Sequence, residues 1–318
     1  MSSSPLYTRP APIIYQQPKS APIPVVDIDR SRPLDEIAAE FRAAAVDTGF
    51  LYVTNHGIAP SVTTAAFDAL HRFFALPAEV KAKYPRGGGM GRGWEGLEAQ
   101  ANDTASAPDY KESWNFTLRG DPTKRAPNKW PAELSEPEFR EPMSTYYLSV
   151  AMVGDYLMHV FARSLSLPRD HFDAMFHDGL TSCRCLYYPP HPANPKFNQL
   201  GAGAHTDAGV LTLLAQDDAG GLEVQNAQGE WLRAEVIPNT LVVNIGDMAA
   251  RWTNDRYTST KHRVMNASGR ERYSMAYFHG PAYDTIIECI PTCLEPGEQP
   301  KYPPVSIGEY TTQRLARR

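Results

Sequence analysis

The feature that most constrains this chain is the run Ala204-His205-Thr206-Asp207, followed at once by the β-branched and leucine-rich stretch from Gly209 to Leu214. Aliphatic and β-branched residues bounded by glycine read as strand. Residues two apart on a strand point to the same side, so His205 and Asp207 aim at one point. His262, in the run Ser259 to Val264, is the candidate for a second imidazole. Two imidazoles and one carboxylate on one face of an ion leave the remaining coordination positions open, an arrangement that suits Fe(II); the ligand types alone also admit zinc. Ten residues after His262, Arg272 and Ser274 again share a side. A guanidinium fork beside a hydroxyl is suited to holding a carboxylate bidentately. An ion and a carboxylate clamp on one sheet fit a 2-oxo acid that chelates at one end and reaches the arginine with the other.

A lone His-x-Asp is common by chance. Here it stands in an ordered series: Tyr187 to Pro190, Gly201 to Leu214, Gly220 to Val224, Val242 to Asp247, Thr260 to Val264 and Arg272 to Ser274. In that order and spacing the series resembles the core of the isopenicillin N synthase-like family of 2-oxoglutarate- and Fe(II)-dependent oxygenases. Ile23 to Asp27 and Gly49 to Gly57 extend the resemblance toward the N-terminus, so it covers most of the chain. It implies a mainly β fold with flanking helices around a double-stranded β-helix (jelly-roll) core. It implies Fe(II) on His205, Asp207 and His262, and 2-oxoglutarate held by Arg272, Ser274 and Tyr188. The implied activity is a dioxygenase that uses O2 to hydroxylate, desaturate or cyclise a small-molecule substrate, with release of succinate and CO2. Arg92 and Trp94 are implied near the mouth of the site, and Asn115 and Phe116 along its wall. Many relatives carry Asn where this chain has Leu186, so one polar contact to the cosubstrate is missing or comes from elsewhere. Isopenicillin N synthase itself uses the Arg-x-Ser pair for a substrate carboxylate. An oxidase of that kind, or an ethylene-forming-type enzyme, therefore remains the alternative, with a non-catalytic metal-binding module third.

The chain divides into a Ser- and Pro-rich flexible arm or surface strap (1–22), an α/β region packed on the barrel (23–180), the oxygenase core (181–281) and a C-terminal tail (282–318) that is expected to cover one mouth. Apolar residues Leu34, Ile37, Ala38, Phe41 and Ala45 recur at helical spacing and predict a helix over 34–46, which Gly49 ends. Further helices are predicted over 60–75, 77–84 and 139–167, with strands over 23–28, 50–54 and 111–118. In the core, strands are predicted over 182–188, 203–205, 210–216, 221–225, 230–235, 240–245, 261–264 and 272–278. Short strands at this spacing indicate a sandwich or barrel.

Other polar residues have ordinary explanations. His56 sits in a turn, and His159, His171 and His177 fall on packing helices. Asp247 is expected to orient a turn by backbone hydrogen bonds. Arg251 either faces a substrate carboxylate or makes a surface ion pair. Phe278 is expected as an apolar wall, and His279 as a wall residue or a solvated one. Gly87 to Gly93 forms a glycine-rich loop with no Gly-Lys-Ser/Thr, so it is not a phosphate loop. A net charge of -5 gives no basic field for nucleic acid. No apolar run is long enough to cross a membrane. The first residues lack an apolar signal core, and the four cysteines read as ordinary reduced thiols, so the expected location is the cytoplasm.

Overall fold

The computed structural model describes residues 18–20, 22–87, 91–102, 107–120 and 126–316. Among them, fifteen strands and seven α-helices follow one another. The first half contains β1 (Lys19–Ser20), β2 (Val25–Asp27), α1 (Leu34–Asp47), β3 (Phe50–Thr54), α2 (Pro60–Phe74), α3 (Ala78–Lys81), β4 (Gly93–Glu95), β5 (Glu112–Phe116), α4 (Glu141–Ser164) and α5 (Asp173–Phe176). The core runs through β6 (Ser182–Tyr188), β7 (Ala202–His205), β8 (Leu211–Gln216), β9 (Leu222–Gln225), β10 (Trp231–Arg233), β11 (Leu241–Ile245), α6 (Asp247–Trp252), β12 (His262–Val264) and β13 (Arg272–His279). β14 (Ile286–Ile287), β15 (Val305–Ser306) and α7 (Ile307–Ala316) complete it.

Two sheets face each other. The smaller has the order β1-β10-β9-β12-β7 and the larger β2-β3-β11-β8-β13-β6-β5-β4. The eight core strands therefore form the two four-stranded walls of a double-stranded β-helix. The preceding region does not merely pack on this barrel: β2 to β5 extend its larger sheet on both edges. The predicted arm over 1–22 lies mostly outside the described residues; its end, β1, pairs in parallel with β10.

Strand alternation sorts the apolar residues into two cores. On the outer face of the larger sheet, Cys183, Cys185, Leu213, Val243, Met275 and Tyr277 join Val150, Val153, Leu157 and Phe161 of α4. α4 is thus the long helix along the outside of the barrel that its periodicity predicts. It is preceded by a single π-turn, Glu136–Arg140, whose Glu138 carboxylate accepts the Ser135 N–H. Between the sheets, Leu186, Tyr188, Leu222, Val224, Val242, Val264 and Ala276 form a smaller apolar layer. That layer is incomplete on one side, and the opening is the site described below. Gly49, with φ of 66°, closes α1 against the core; a Cβ there would stand 1.9 Å from the Thr258 carbonyl oxygen.

All four cysteines are free thiols. No helix among the described residues is long and apolar enough to cross a membrane.

Candidate active site

β7 and β12 are antiparallel neighbours, with His205 directly opposite His262. The imidazole rings lie 4.3 Å apart between centroids. Asp207 follows on the turn into β8. His205 Nε2 is 3.8 Å and His262 Nε2 3.7 Å from Asp207 Oδ1. All three ligand atoms lie within 4.8 Å of one another, which is the one such cluster of His, Cys, Asp or Glu among the described residues.

The surroundings fix which atoms are offered. His205 Nδ1 donates to the Gly203 carbonyl at 2.8 Å, and His262 Nδ1 to the Thr260 carbonyl at 3.2 Å. Each ring is thereby held in the tautomer with its Nε2 lone pair turned to the cluster. Asp207 Oδ2 accepts from Thr212 Oγ1 at 2.6 Å and Asn244 Nδ2 at 2.9 Å, which leaves Oδ1 for an ion. Burial and the neighbouring His262 push the His205 pKa down to about 3, so the ring is neutral at pH 7. Burial works against ionisation of Asp207, but His262, His205 and the two hydrogen bonds outweigh it and hold the carboxyl below its usual range. Two imidazole Nε2 atoms and one carboxylate oxygen turned toward one point fit a divalent ion. The separations are slightly wider than those of neighbouring ligands about 2 Å from a shared ion.

The turn carrying Asp207 is pinned from behind. Gly246 passes so close that a Cβ would meet the Gly209 carbonyl oxygen at 2.2 Å. This approach lets the Asp247 N–H reach the Asp207 carbonyl at 2.7 Å. The Asp247 carboxylate does more than the backbone bonding expected of it. It accepts from Ser259 Oγ at 2.7 Å and Thr206 Oγ1 at 3.2 Å and pairs with Arg314 at 3.1 Å. One side chain therefore ties both metal-ligand loops to α7.

A cavity of about 290 Å³ opens beside the cluster. His205, Asp207, His262, Tyr188, Arg272, Ser274, Arg92, Asn115, Phe278 and His279 all line it. Arg272 lies at the start of β13, opposite Tyr188 on β6. It is fully buried. Its Nε donates to the Gly220 carbonyl, one terminal nitrogen bonds Ser274 Oγ at 3.2 Å and the other Gln216 Oε1 at 3.4 Å. The guanidinium also lies over the Tyr188 ring, 4.7 Å from its centroid. No carboxylate among the described residues pairs with it. Burying a charge without a counter-ion is costly, so this geometry asks for an anionic ligand.

Three predicted wall or mouth residues lie elsewhere. Phe116 is buried in the outer core, stacked on Trp114 at 4.8 Å and near Trp130 and Tyr147. The reason is the strand period: on β5, Asn115 faces the cavity, so its neighbour Phe116 faces the helices. Arg251 belongs to α6, where it bonds the Pro303 carbonyl and lies 4.8 Å over the Tyr302 ring, beneath the C-terminal segment. Trp94 donates to Glu112 Oε2 at 2.7 Å, outside the cavity lining. Conversely, Lys111, Arg184, Thr212 and Asn244 face the cavity, as do Ile307, Thr311 and Arg314 of α7. Arg184 has a signal in the sequence, since it precedes Tyr188 by four residues on one strand; for α7 the signal is only the tail expected over one mouth.

The chain resembles known proteins over almost its whole length. Residues 180–281 match the 2OG-Fe(II) oxygenase superfamily. Residues 23–133 match the N-terminal domain described as that of the non-haem dioxygenases in morphine synthesis. The 2-oxoglutarate-Fe(II) type oxidoreductase hxnY of Emericella nidulans is 37% identical over 287 residues, 86% of this chain and 82% of that one. The 2-oxoglutarate-dependent dioxygenase citB of Monascus ruber is 36% identical, covering 80% of this chain and 84% of its own. Among solved structures, a full-length Neurospora crassa protein in complex with alpha-KG and thymine superposes with a TM-score of 0.84 at 33% identity. That match covers 93% of this chain and 96% of the other.

Proposed function

The chain belongs to the 2-oxoglutarate- and Fe(II)-dependent oxygenases, and from that premise we propose which of its residues do the work. It is a dioxygenase that uses Fe(II), 2-oxoglutarate and O2 to oxidise a small-molecule substrate. His205, Asp207 and His262 are the iron ligands, each presenting one atom on a single face. Arg272 and Ser274 hold the distal carboxylate of 2-oxoglutarate, with Tyr188 beneath the guanidinium. With both bound, the centre supplies O2 activation coupled to decarboxylation of the cosubstrate to succinate and CO2. The protein's part is to fix the imidazole tautomers, keep the Asp207 carboxylate ionised and place a substrate C–H bond beside the open face.

The observation that carries this reading is the fully buried Arg272, without an anion of its own, in the same cavity as the three-ligand cluster. Relatives named as 2-oxoglutarate-dependent enzymes, and a similar structure holding alpha-KG, favour a 2-oxo acid over the oxidase alternative. Two complexes support small molecules as substrates. One is the Neurospora crassa protein with thymine; the other is JOX2 with 2OG, Fe and JA, a structure 28% identical with a TM-score of 0.80. Arg92, Asn115 and Phe278 stand where such a molecule would sit. Residues 23–180 serve as a scaffold that widens the larger sheet. Four free thiols support a reducing compartment, the cytoplasm.

The test is His262→Ala. It is expected to abolish stoichiometric Fe(II) binding and succinate formation while circular dichroism stays that of the wild type. Retained iron binding and turnover would overturn the ligand assignment.

A further inference from the structure

Resting on that reading, a recognition site for the primary substrate can be located on the flank of the cavity opposite the iron ligands. Arg184 on β6 lies directly across from Asn115 on β5. The same lateral row runs through Ala276 on β13 and Leu214 on β8. Strands in a sheet are about 4.8 Å apart, so Arg184 lies about 10 Å across the floor from β8, whose Thr212 bonds the ligand Asp207. Arg184, Asn115 and the three-ligand cluster line one cavity, so one small molecule can face both.

Both residues offer donors that nothing in the protein uses. Arg184 Nε and Asn115 Nδ2 are buried and have no hydrogen-bond partner among the described residues. Asn115 is 7% exposed. The Arg184 guanidinium is not loose: its terminal nitrogen is held by Glu95 Oε2, Gln100 Oε1 and Ser113 Oγ. Its Nε–H therefore has a fixed direction. Unsatisfied buried donors are uncommon and call for a partner, here one that arrives from the cavity.

The chemistry of the partner follows from what the pair lacks. Both unpartnered atoms are N–H donors, so the arriving group must offer an acceptor to each of them. A carboxylate supplies two acceptor oxygens in one plane and makes a charge-assisted bond to the guanidinium. We propose that the primary substrate carries a carboxylate that binds between Arg184 Nε and Asn115 Nδ2, which turns its far end toward the iron.

The experiment is calorimetry on the full chain, anaerobic and loaded with Fe(II) and saturating 2-oxoglutarate. The probes are phenylacetate, cyclohexanecarboxylate and octanoate, each against its primary amide. At least one acid is expected to bind ten-fold or more tightly than its amide. The near-isosteric Asn115→Asp is expected to remove that preference, and Arg184→Lys, which keeps the charge but loses the Nε donor, to weaken the acid ten-fold. The 2-oxoglutarate Kd is expected to stay unchanged in both variants. Equal binding of acid and amide, no binding of any acid, or an acid affinity indifferent to Asn115→Asp would overturn the proposal. Loss of 2-oxoglutarate binding by the wild type would instead overturn the oxygenase reading beneath it.

Discussion

Asp207 divides its two oxygens between jobs. Oδ2 is taken by Thr212 and Asn244, and Oδ1 is left to face the imidazoles. Second partners of this kind orient a ligand, and their loss typically costs roughly 10- to 100-fold in metal affinity. Thr212→Val keeps the shape and removes the donor, so its Fe(II) Kd is expected to rise by about ten-fold, measured by anaerobic titration with an unchanged circular dichroism spectrum. The residues that carry Oδ1 and both Nε2 atoms are legible in the sequence from the ordered motif series, although Asp207 meets His205 from the turn after β7 and not along the strand. Thr212 and Asn244 are not, since a threonine or asparagine on a strand has many uses and pairing across β8 and β11 decides this one. Phe116 follows the strand period: with Asn115 turned to the cavity, its neighbour on β5 is turned to the helices.

Among the elements, the core strands are the most readable part. Predicted 182–188 and 50–54 coincide with β6 and β3, and most of the other core strands differ by one or two residues at their ends. Alternation, β-branched content and glycine-bounded turns mark such strands strongly. α7 reads in the sequence only as a polar turn that ends a tail over one mouth. Its contribution to the wall depends on where the largely irregular chain after β13 carries it, which local pattern does not encode. α7 brings Ile307, Thr311 and Arg314 to the cavity, and Arg314 meets Thr206 Oγ1 at 2.8 Å as well as Asp247. Removal of residues 307–318 is expected to raise the KM for the primary substrate by about ten-fold, the scale of one lost polar contact, while 2-oxoglutarate affinity stays at the wild-type value. Steady-state kinetics with both substrates varied checks this; an unchanged substrate KM would separate α7 from the site.

At the scale of the whole molecule, the outer core couples fold stability to pH. His279 ends β13 against Gly154 of α4 and stacks on Phe176 of α5 at 4.9 Å. Burial pushes its pKa down to about 4, below the ordinary 6.5. Between those values the unfolded chain takes up a proton that the folded chain refuses. The stability is therefore fully present above about pH 6.5 and declines as pH falls toward 4, by up to about 3 kcal/mol from this residue. Urea unfolding midpoints at pH 7 and pH 4.5 are expected to differ less in His279→Gln than in the wild type; equal differences would remove His279 from the account.

The same packed body supports the central claim, that one cavity holds Fe(II) on three side chains and a 2-oxo acid against Arg272. The most direct test is anaerobic addition of 2-oxoglutarate to the Fe(II)-loaded protein, followed by visible absorption. The account predicts a charge-transfer band that saturates at one equivalent and that requires much higher 2-oxoglutarate in Arg272→Ala. Iron binding without a band, or a band whose 2-oxoglutarate dependence is the same in Arg272→Ala, would contradict it.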